Sequence, residues 1–158
     1  MKYCQFFIFF SLLMMLTSCG GDNDICESGE GTPRMKIRFR NLIDNKLRKV
    51  DTLYVYADYG SGKVSLGKNA NVDSILVPIR VDDSPYTDLY FKTRLNEQQS
   101  KVRVNYTTKS TYVSPGCGVK KTYENLNSQL LESISVKKLE SGQNFIENED
   151  KTNLYLLF

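Results

Sequence analysis

The chain has 158 residues, with 21 Lys and Arg against 18 Asp and Glu and no histidine, a length that suits one domain and is short for two well-buried ones. Without histidine there is no Ser-His-Asp or Cys-His nucleophile, no HExxH zinc site and no imidazole metal cluster. Apolar residues at 41% and charged ones at 25% describe an ordinary globular chain, and a net charge of +3 dispersed along it does not point to nucleic acid.

Lys2 opens a short positive region, and Phe6 to Leu16 is apolar apart from Ser11, the make-up of a signal-peptide core too short to cross a bilayer comfortably. The run ends in Leu16-Thr17-Ser18-Cys19, followed by Gly20-Gly21. It resembles the lipobox of bacterial lipoproteins, with an aliphatic residue three before the cysteine and small residues beside it. The resemblance implies a leader over 1–18 cut after Ser18, a diacylglyceryl thioether on the Cys19 sulfur and acylation of its new amine. Acyl chains paired on one cysteine anchor firmly, at about 0.8 kcal/mol per buried methylene. The plainer alternatives are a secretory signal with a chance cysteine, or an uncleaved helix.

Gly20 in place of Asp after Cys19 implies, by the same resemblance, an outer-membrane address. Asp22 and Asp24, interrupted by Asn23, are similar to the surface-export signal of Bacteroidota lipoproteins, and leave the periplasmic face and the cell surface both open. Residues 19–32 otherwise read as a flexible acidic tether, and 33–158 as the folded domain.

Within that domain Met35 to Arg40 alternates apolar and basic residues, the period of a strand with one wet face, and Leu53 to Ala57 repeats the pattern in β-forming residues. Gly60-Ser61-Gly62 predicts a turn into a short strand from Lys63 to Leu66. Ser74 to Ile79 is a more continuous apolar run, and Pro78, lacking an N–H, predicts an edge or a bulge. Asp88 to Arg94 and Lys101 to Tyr106 follow, with a polar turn between them. Ser114-Pro115-Gly116-Cys117-Gly118 predicts a turn. Leu126, Leu130 and Leu131 suggest a short helix between Tyr123 and Leu131, and 131–139 alternates as a strand. Asn153 to Phe158 predicts a buried last strand. Seven or eight short strands with many turn residues predict an all-β, antiparallel β-sandwich, immunoglobulin-like or related.

With Cys4 removed in the leader and Cys19 lipidated, Cys26 and Cys117 remain, in a compartment where disulfides persist. One bridge between them is predicted, closing a long loop for roughly 4.6 kcal/mol on the chain-entropy account. A metal pair lacks the zinc spacing, and a reactive thiol lacks a base. No catalytic, cofactor or metal residue is nominated.

Other constellations have plain explanations beside them. Ala57 to Val64 brushes a phosphate-binding loop but lacks its first Gly and its Ser or Thr, and reads as a hairpin turn. Lys36, Arg38 and Arg40, and again Lys101 and Arg103, form basic stripes that suit a solvated face or an anionic glycan or lipid headgroup; directly opposed they would repel, so acids are expected between them. Tyr54 and Tyr56 share a strand face, as a sugar-stacking platform or simply as strand formers. Asp82, Asp83 and Asp88, and Glu147, Glu149 and Asp150, contain enough carboxylates for a glycosidase pair but fall in predicted turns. Asp51-Thr52-Leu53 and Asp73-Ser74-Ile75 resemble the Bacteroidota O-glycosylation pattern, which implies Thr52 and Ser74 as acceptors.

Cys26-Glu27, Thr32-Pro33-Arg34-Met35-Lys36-Ile37-Arg38-Phe39 and Ser114-Pro115-Gly116-Cys117-Gly118 resemble a family of small Bacteroidota outer-membrane lipoproteins of unknown function. That resemblance implies a shared fold and the paired cysteines, and no activity. The expectation is therefore a lipid-anchored, non-enzymatic binding or assembly module of the cell envelope, whose partners are the membrane through Cys19 and an outer-membrane protein or a glycan, with no cofactor. A glycan hydrolase using carboxylates is one alternative. A small outer-membrane β-barrel, suggested by the terminal Phe158, is another, and it would need apolar outward faces all round.

Overall fold

A computed structural model describes residues 31–158, which form nine strands and no helix. The strands are β1 (Met35–Arg40), β2 (Val50–Asp58), β3 (Lys63–Val72), β4 (Ser74–Val77), β5 (Tyr86–Lys92), β6 (Ser100–Ser114), β7 (Gly118–Glu132), β8 (Lys138–Ser141) and β9 (Leu154–Leu157). They make a β-sandwich of a four-stranded sheet, β4-β1-β9-β8, and a five-stranded sheet, β3-β2-β5-β6-β7. All pairings are antiparallel except that of β1 with β9.

The period-two patterns set the inner faces. Met35, Ile37 and Phe39 of β1, Leu53, Val55 and Ala57 of β2, and Val102 and Val104 of β6 are all buried in one core. Burying each large apolar side chain contributes about 1.5–3 kcal/mol. The chain crosses between the sheets four times, after β1, β3, β4 and β7. Asp73, between β3 and β4, gives its carbonyl to the N–H of Phe39 on the opposite sheet at 3.1 Å. On the other side Ser100 Oγ accepts the N–H groups of Ile134 at 3.0 Å and Val136 at 2.9 Å, turning the chain from β7 towards β8. This corner is the reason 131–139 is not one continuous strand: β7 stops at Glu132, buried Val136 fills the gap between sheets, and β8 begins at Lys138.

The helix expected over 123–131 is also corrected, because the whole segment lies in β7. Asn105 pairs with Asn127 and Thr107 with Glu124, so two residues, Asn125 and Leu126, stand opposite Tyr106 alone. Such a bulge re-aims the side chains that follow it, and Asn125 takes a left-handed φ of 55° there. Tyr123, Leu126 and Leu130 all pack against the core, and the bulge converts their strand positions into a spacing of three and four that imitates a helix.

Elsewhere the strands fall where they were expected, but β6 runs longer, continuing past Tyr106 to Ser114. β4 ends at Val77, just before Pro78, on the edge of its sheet. β3 runs beyond Leu66 to Val72 and carries a bulge at that residue, since Val55 pairs with Gly67 and Tyr56 with Ser65. A bulged edge strand with Lys63 and Lys68 on it is a poor template for edge-to-edge association.

Candidate binding face

The outer face of the five-stranded sheet is where side chains of one kind of chemistry gather. Inward positions of β2 and β5 are taken by core residues, so Tyr54, Tyr56, Tyr86 and Tyr90 must point outward together. Tyr56 pairs in register with Tyr90, and Tyr90 with Lys101 on β6. Tyr54 lies between Lys68 of β3 and Lys92 of β5.

Cations cover the rings. Lys63 Nζ stands 3.9 Å from the centroid of Tyr90, and Lys101 Nζ 5.6 Å from it. The guanidinium of Arg103 lies 4.0 Å over Tyr86. Lys92 reaches both Tyr54 and Tyr56, at 5.6 and 5.8 Å, and Lys68 lies 5.9 Å from Tyr54. Each such contact contributes about 0.5–1 kcal/mol at an exposed site, and Tyr90, under Lys63 and Lys101, is 7% exposed.

One buried carboxylate sits among these cations. Asp88 accepts from Arg103 Nε at 2.7 Å and Nη2 at 2.9 Å, and lies 3.1 Å from Lys101 Nζ. The bidentate bond from Arg103, with Lys101 behind it, holds the Asp88 carboxyl below its usual range despite burial. The same pairing raises Lys101 and Arg103 above theirs. Asp58, opposite Asp88 in register, is turned to the hairpin, where Oδ1 accepts from Gly60 N at 2.8 Å.

The structure therefore keeps Tyr54 and Tyr56 on one face, and adds Tyr86 and Tyr90, which sequence reasoning passed over. The signal was present in Tyr86, Asp88, Tyr90 and Lys92 at period two. The two basic stripes lie on different sheets, and the acid expected beside Lys101 and Arg103 is Asp88. In the first stripe, Arg40 pairs with Glu140 at 2.7 Å and stacks 3.8 Å over Tyr155, while Lys36 Nζ donates to the Asp150 carbonyl at 3.2 Å.

The carboxylates weighed for hydrolysis do not converge. Asp82 binds Arg80, which draws its carboxyl down to about 2. Asp83 binds Lys121 at 2.8 Å, and Glu149 binds Arg34 at 2.7 Å. Among the described residues no three Asp, Glu or Cys side chains cluster as a metal site. Nor does the tyrosine and cation face carry the apolar outward band that a membrane barrel requires.

Thr52 lies half-buried on β2 opposite Ala70, and Ser74 opens β4 with its hydroxyl on the Asp73 carboxylate at 2.9 Å. Cys117 sits in the β6–β7 turn, its N–H on Ser114 Oγ at 3.1 Å, and its sulfur is not a free thiol. Cys19 and Cys26 lie outside the described residues.

Residues 52–158 match a family described as a family of unknown function (DUF6452). The matched span begins after β1, yet β1 pairs with both β4 and β9, so the folded unit starts ahead of it. No curated protein and no solved structure matches the chain.

Proposed function

We propose that this chain, which belongs to the DUF6452 family of unknown function, works as a lipid-anchored, non-enzymatic binding module of the bacterial outer membrane. Its ligand on this reading is an acidic glycan, received on the outer face of the five-stranded sheet. Leu16-Thr17-Ser18-Cys19 after an apolar leader supports the anchor, with lipid on Cys19 and a bridge from Cys26 to Cys117 tying the tether to the fold. The observation that carries the ligand is the alternation of Tyr54, Tyr56, Tyr86 and Tyr90 with Lys63, Lys68, Lys92, Lys101 and Arg103 across four neighbouring strands.

The rings of Tyr54, Tyr56 and Tyr86 offer sugars an apolar stacking surface, Tyr90 lies buried beneath its cations, and the cations supply the partner for carboxylates on the polymer. Five cations face three acids on β2 and β5, Asp51, Asp58 and Asp88, and with Lys101 and Arg103 paired to Asp88 the others, Lys63, Lys68 and Lys92, still outnumber the acids left. The surface is an open sheet, suited to a chain laid across strands about 4.8 Å apart.

The test is binding of the full chain in detergent to polygalacturonate and to neutral dextran. Binding to the acidic polymer alone is expected, weakening with salt and in Lys63→Glu and Lys92→Glu variants. Equal binding to dextran, or no change in those variants, would sink the glycan reading. The anchor is tested separately by the mass of the N-terminal peptide, which should carry acyl chains on Cys19 and lose them in Cys19→Ala.

A further inference from the structure

At the opposite end of the sandwich from residue 32, the turn between β1 and β2 presents a group of aliphatic side chains to solvent. Ile43 is 93% exposed, Leu42 45% and Leu47 49%. Single exposed aliphatics are ordinary, but three on one seven-residue turn, 41–47, are a cluster. The turn is also firmly built. Asn41 N–H donates to the Lys46 carbonyl at 2.9 Å and Asn45 N–H to the Asn41 carbonyl at 3.0 Å. Asn41 Oδ1 accepts from Ile43 N–H at 2.9 Å, and Asp44 Oδ1 from Lys46 N–H at 3.1 Å. Leu42 N–H is held by the Phe158 carbonyl at 3.0 Å, and Arg48 N–H by that of Phe39 at 3.0 Å. Asn45 accepts a left-handed φ of 57° to close it.

These bonds fix the backbone while leaving the isoleucine unburied, so the ordering cost of a contact there has already been met within the domain. Lys46, Arg48 and Lys49 are exposed in and beside the turn, whose nearby carboxylates are Asp44 and Glu140, the latter already taken by Arg40, Lys138 and Asn45. We infer that the 41–47 turn is the anchor by which this domain docks on a second protein, one that offers an apolar pocket rimmed by carboxylates.

Where the chain leaves the described fold decides against the module's own membrane as the occupant, and this orientation rests on the lipid-anchor reading above. Thr32 Oγ1 accepts from Lys121 N–H at 3.0 Å, and Arg34 is clamped to Glu149, both at the end where β2 finishes. The turn lies at the end where β2 begins, nine residues or about 30 Å away. With Cys26 bridged to Cys117, only six residues lie between Cys19 and the bridge, seven steps with a reach of about 25 Å at most. The turn is then held facing away from the lipid.

The test places a photo-crosslinking residue at position 43 of the full lipidated chain in its own membranes, with position 69 on β3 as control. One discrete protein adduct from position 43 alone is expected. That protein, identified and purified, should bind the wild-type chain, and Ile43→Asp should weaken the binding about thirtyfold, the loss of one central anchor. Lys46→Glu with Arg48→Glu should weaken it further and remove its salt dependence. Ile43 is exposed, so the variant's unchanged melting temperature serves as the folding control. Adducts to lipid, adducts to a second copy of the chain, equal labelling from both positions, no adduct, or binding indifferent to Ile43→Asp would each overturn the proposal. An intact Cys19 acyl mass with any of those outcomes leaves the anchor standing, which separates the two failures.

Discussion

Asp88 and Arg103 face each other across β5 and β6 in direct register and are joined by two hydrogen bonds, at 2.7 and 2.9 Å. Asp88 is buried beneath two cations, so its removal strands charges that were desolvated for its sake. Asp88→Asn is expected to cost about 2 kcal/mol in urea unfolding. The linkage has a definite sign: the folded carboxyl sits below its unfolded value of about 3.9, so its contribution is complete above that pH and is lost as pH falls through the lower folded value. Wild type should therefore lose stability more steeply than Asp88→Asn as the solution is acidified below pH 4. Acid titrations in which the two proteins lose stability with the same slope would contradict this account.

Tyr123 poses the reverse case. Its ring is fully buried against Tyr106, with centroids 5.1 Å apart, and its hydroxyl has no hydrogen-bond partner among the described residues. Tyr123→Phe removes an unsatisfied polar atom and keeps the packing, so a gain of about 1 kcal/mol is expected. Burial pushes the phenol up to about 12, with the neighbouring Tyr106 adding to the effect. The unfolded chain ionises first, near pH 10, so folded stability declines between there and pH 12, and less so in the phenylalanine variant. A substitution that destabilises the protein at neutral pH shows that the hydroxyl has a partner after all.

These two residues mark how far the sequence could be read. Alternation in β1, β2 and the first half of β6, the apolar run at β9 and the breakers at Pro78 and 114–118 were sufficient for the sandwich, because each of those stretches turns its apolar side chains to the core. β7 defeated the pattern because the bulge at Asn125 changes the residue interval without changing the strand. Tyr54 and Tyr56 were visible as a pair, but the cations over them come from two other strands, β3 and β5, and no local spacing encodes which strands become neighbours. The 41–47 turn escaped notice for another reason. Leu42, Ile43 and Leu47 look like core residues in a sequence, and only the fold shows that nothing covers them.

Gly142 is a position where any side chain is excluded by contact. A β-carbon built there would overlap the Thr152 carbonyl oxygen, and the same close approach carries the bonds from Gly142 N–H to the Asn153 carbonyl and from Gln143 N–H to the Thr152 carbonyl, both 2.9 Å. The neighbouring Asn153 is buried and laces this crossing to β1, accepting from Lys36 N–H at 3.0 Å and donating to the Phe145 carbonyl at 2.8 Å. Gly142→Ala must push these strands apart, and a loss of about 2–3 kcal/mol is expected from such overpacking. Thermal unfolding checks it, and a variant with wild-type stability shows that the crossing can yield.

The bridge proposed between Cys26 and Cys117 predicts a stability that depends on reductant. Closing a loop of that length lowers the entropy of the unfolded chain, which gives roughly 4.6 kcal/mol before native strain is subtracted. Cys117 lies in a turn that keeps its own backbone bond from Cys117 N–H to Ser114 Oγ, so the sandwich should survive reduction with a lower melting temperature rather than unfold at once. Cys117→Ser should reproduce the reduced protein and respond to no further reductant. Mass spectrometry of the unreduced chain after alkylation checks the pairing directly: the proposal requires neither Cys26 nor Cys117 to be labelled, and modification of both in the native protein refutes it.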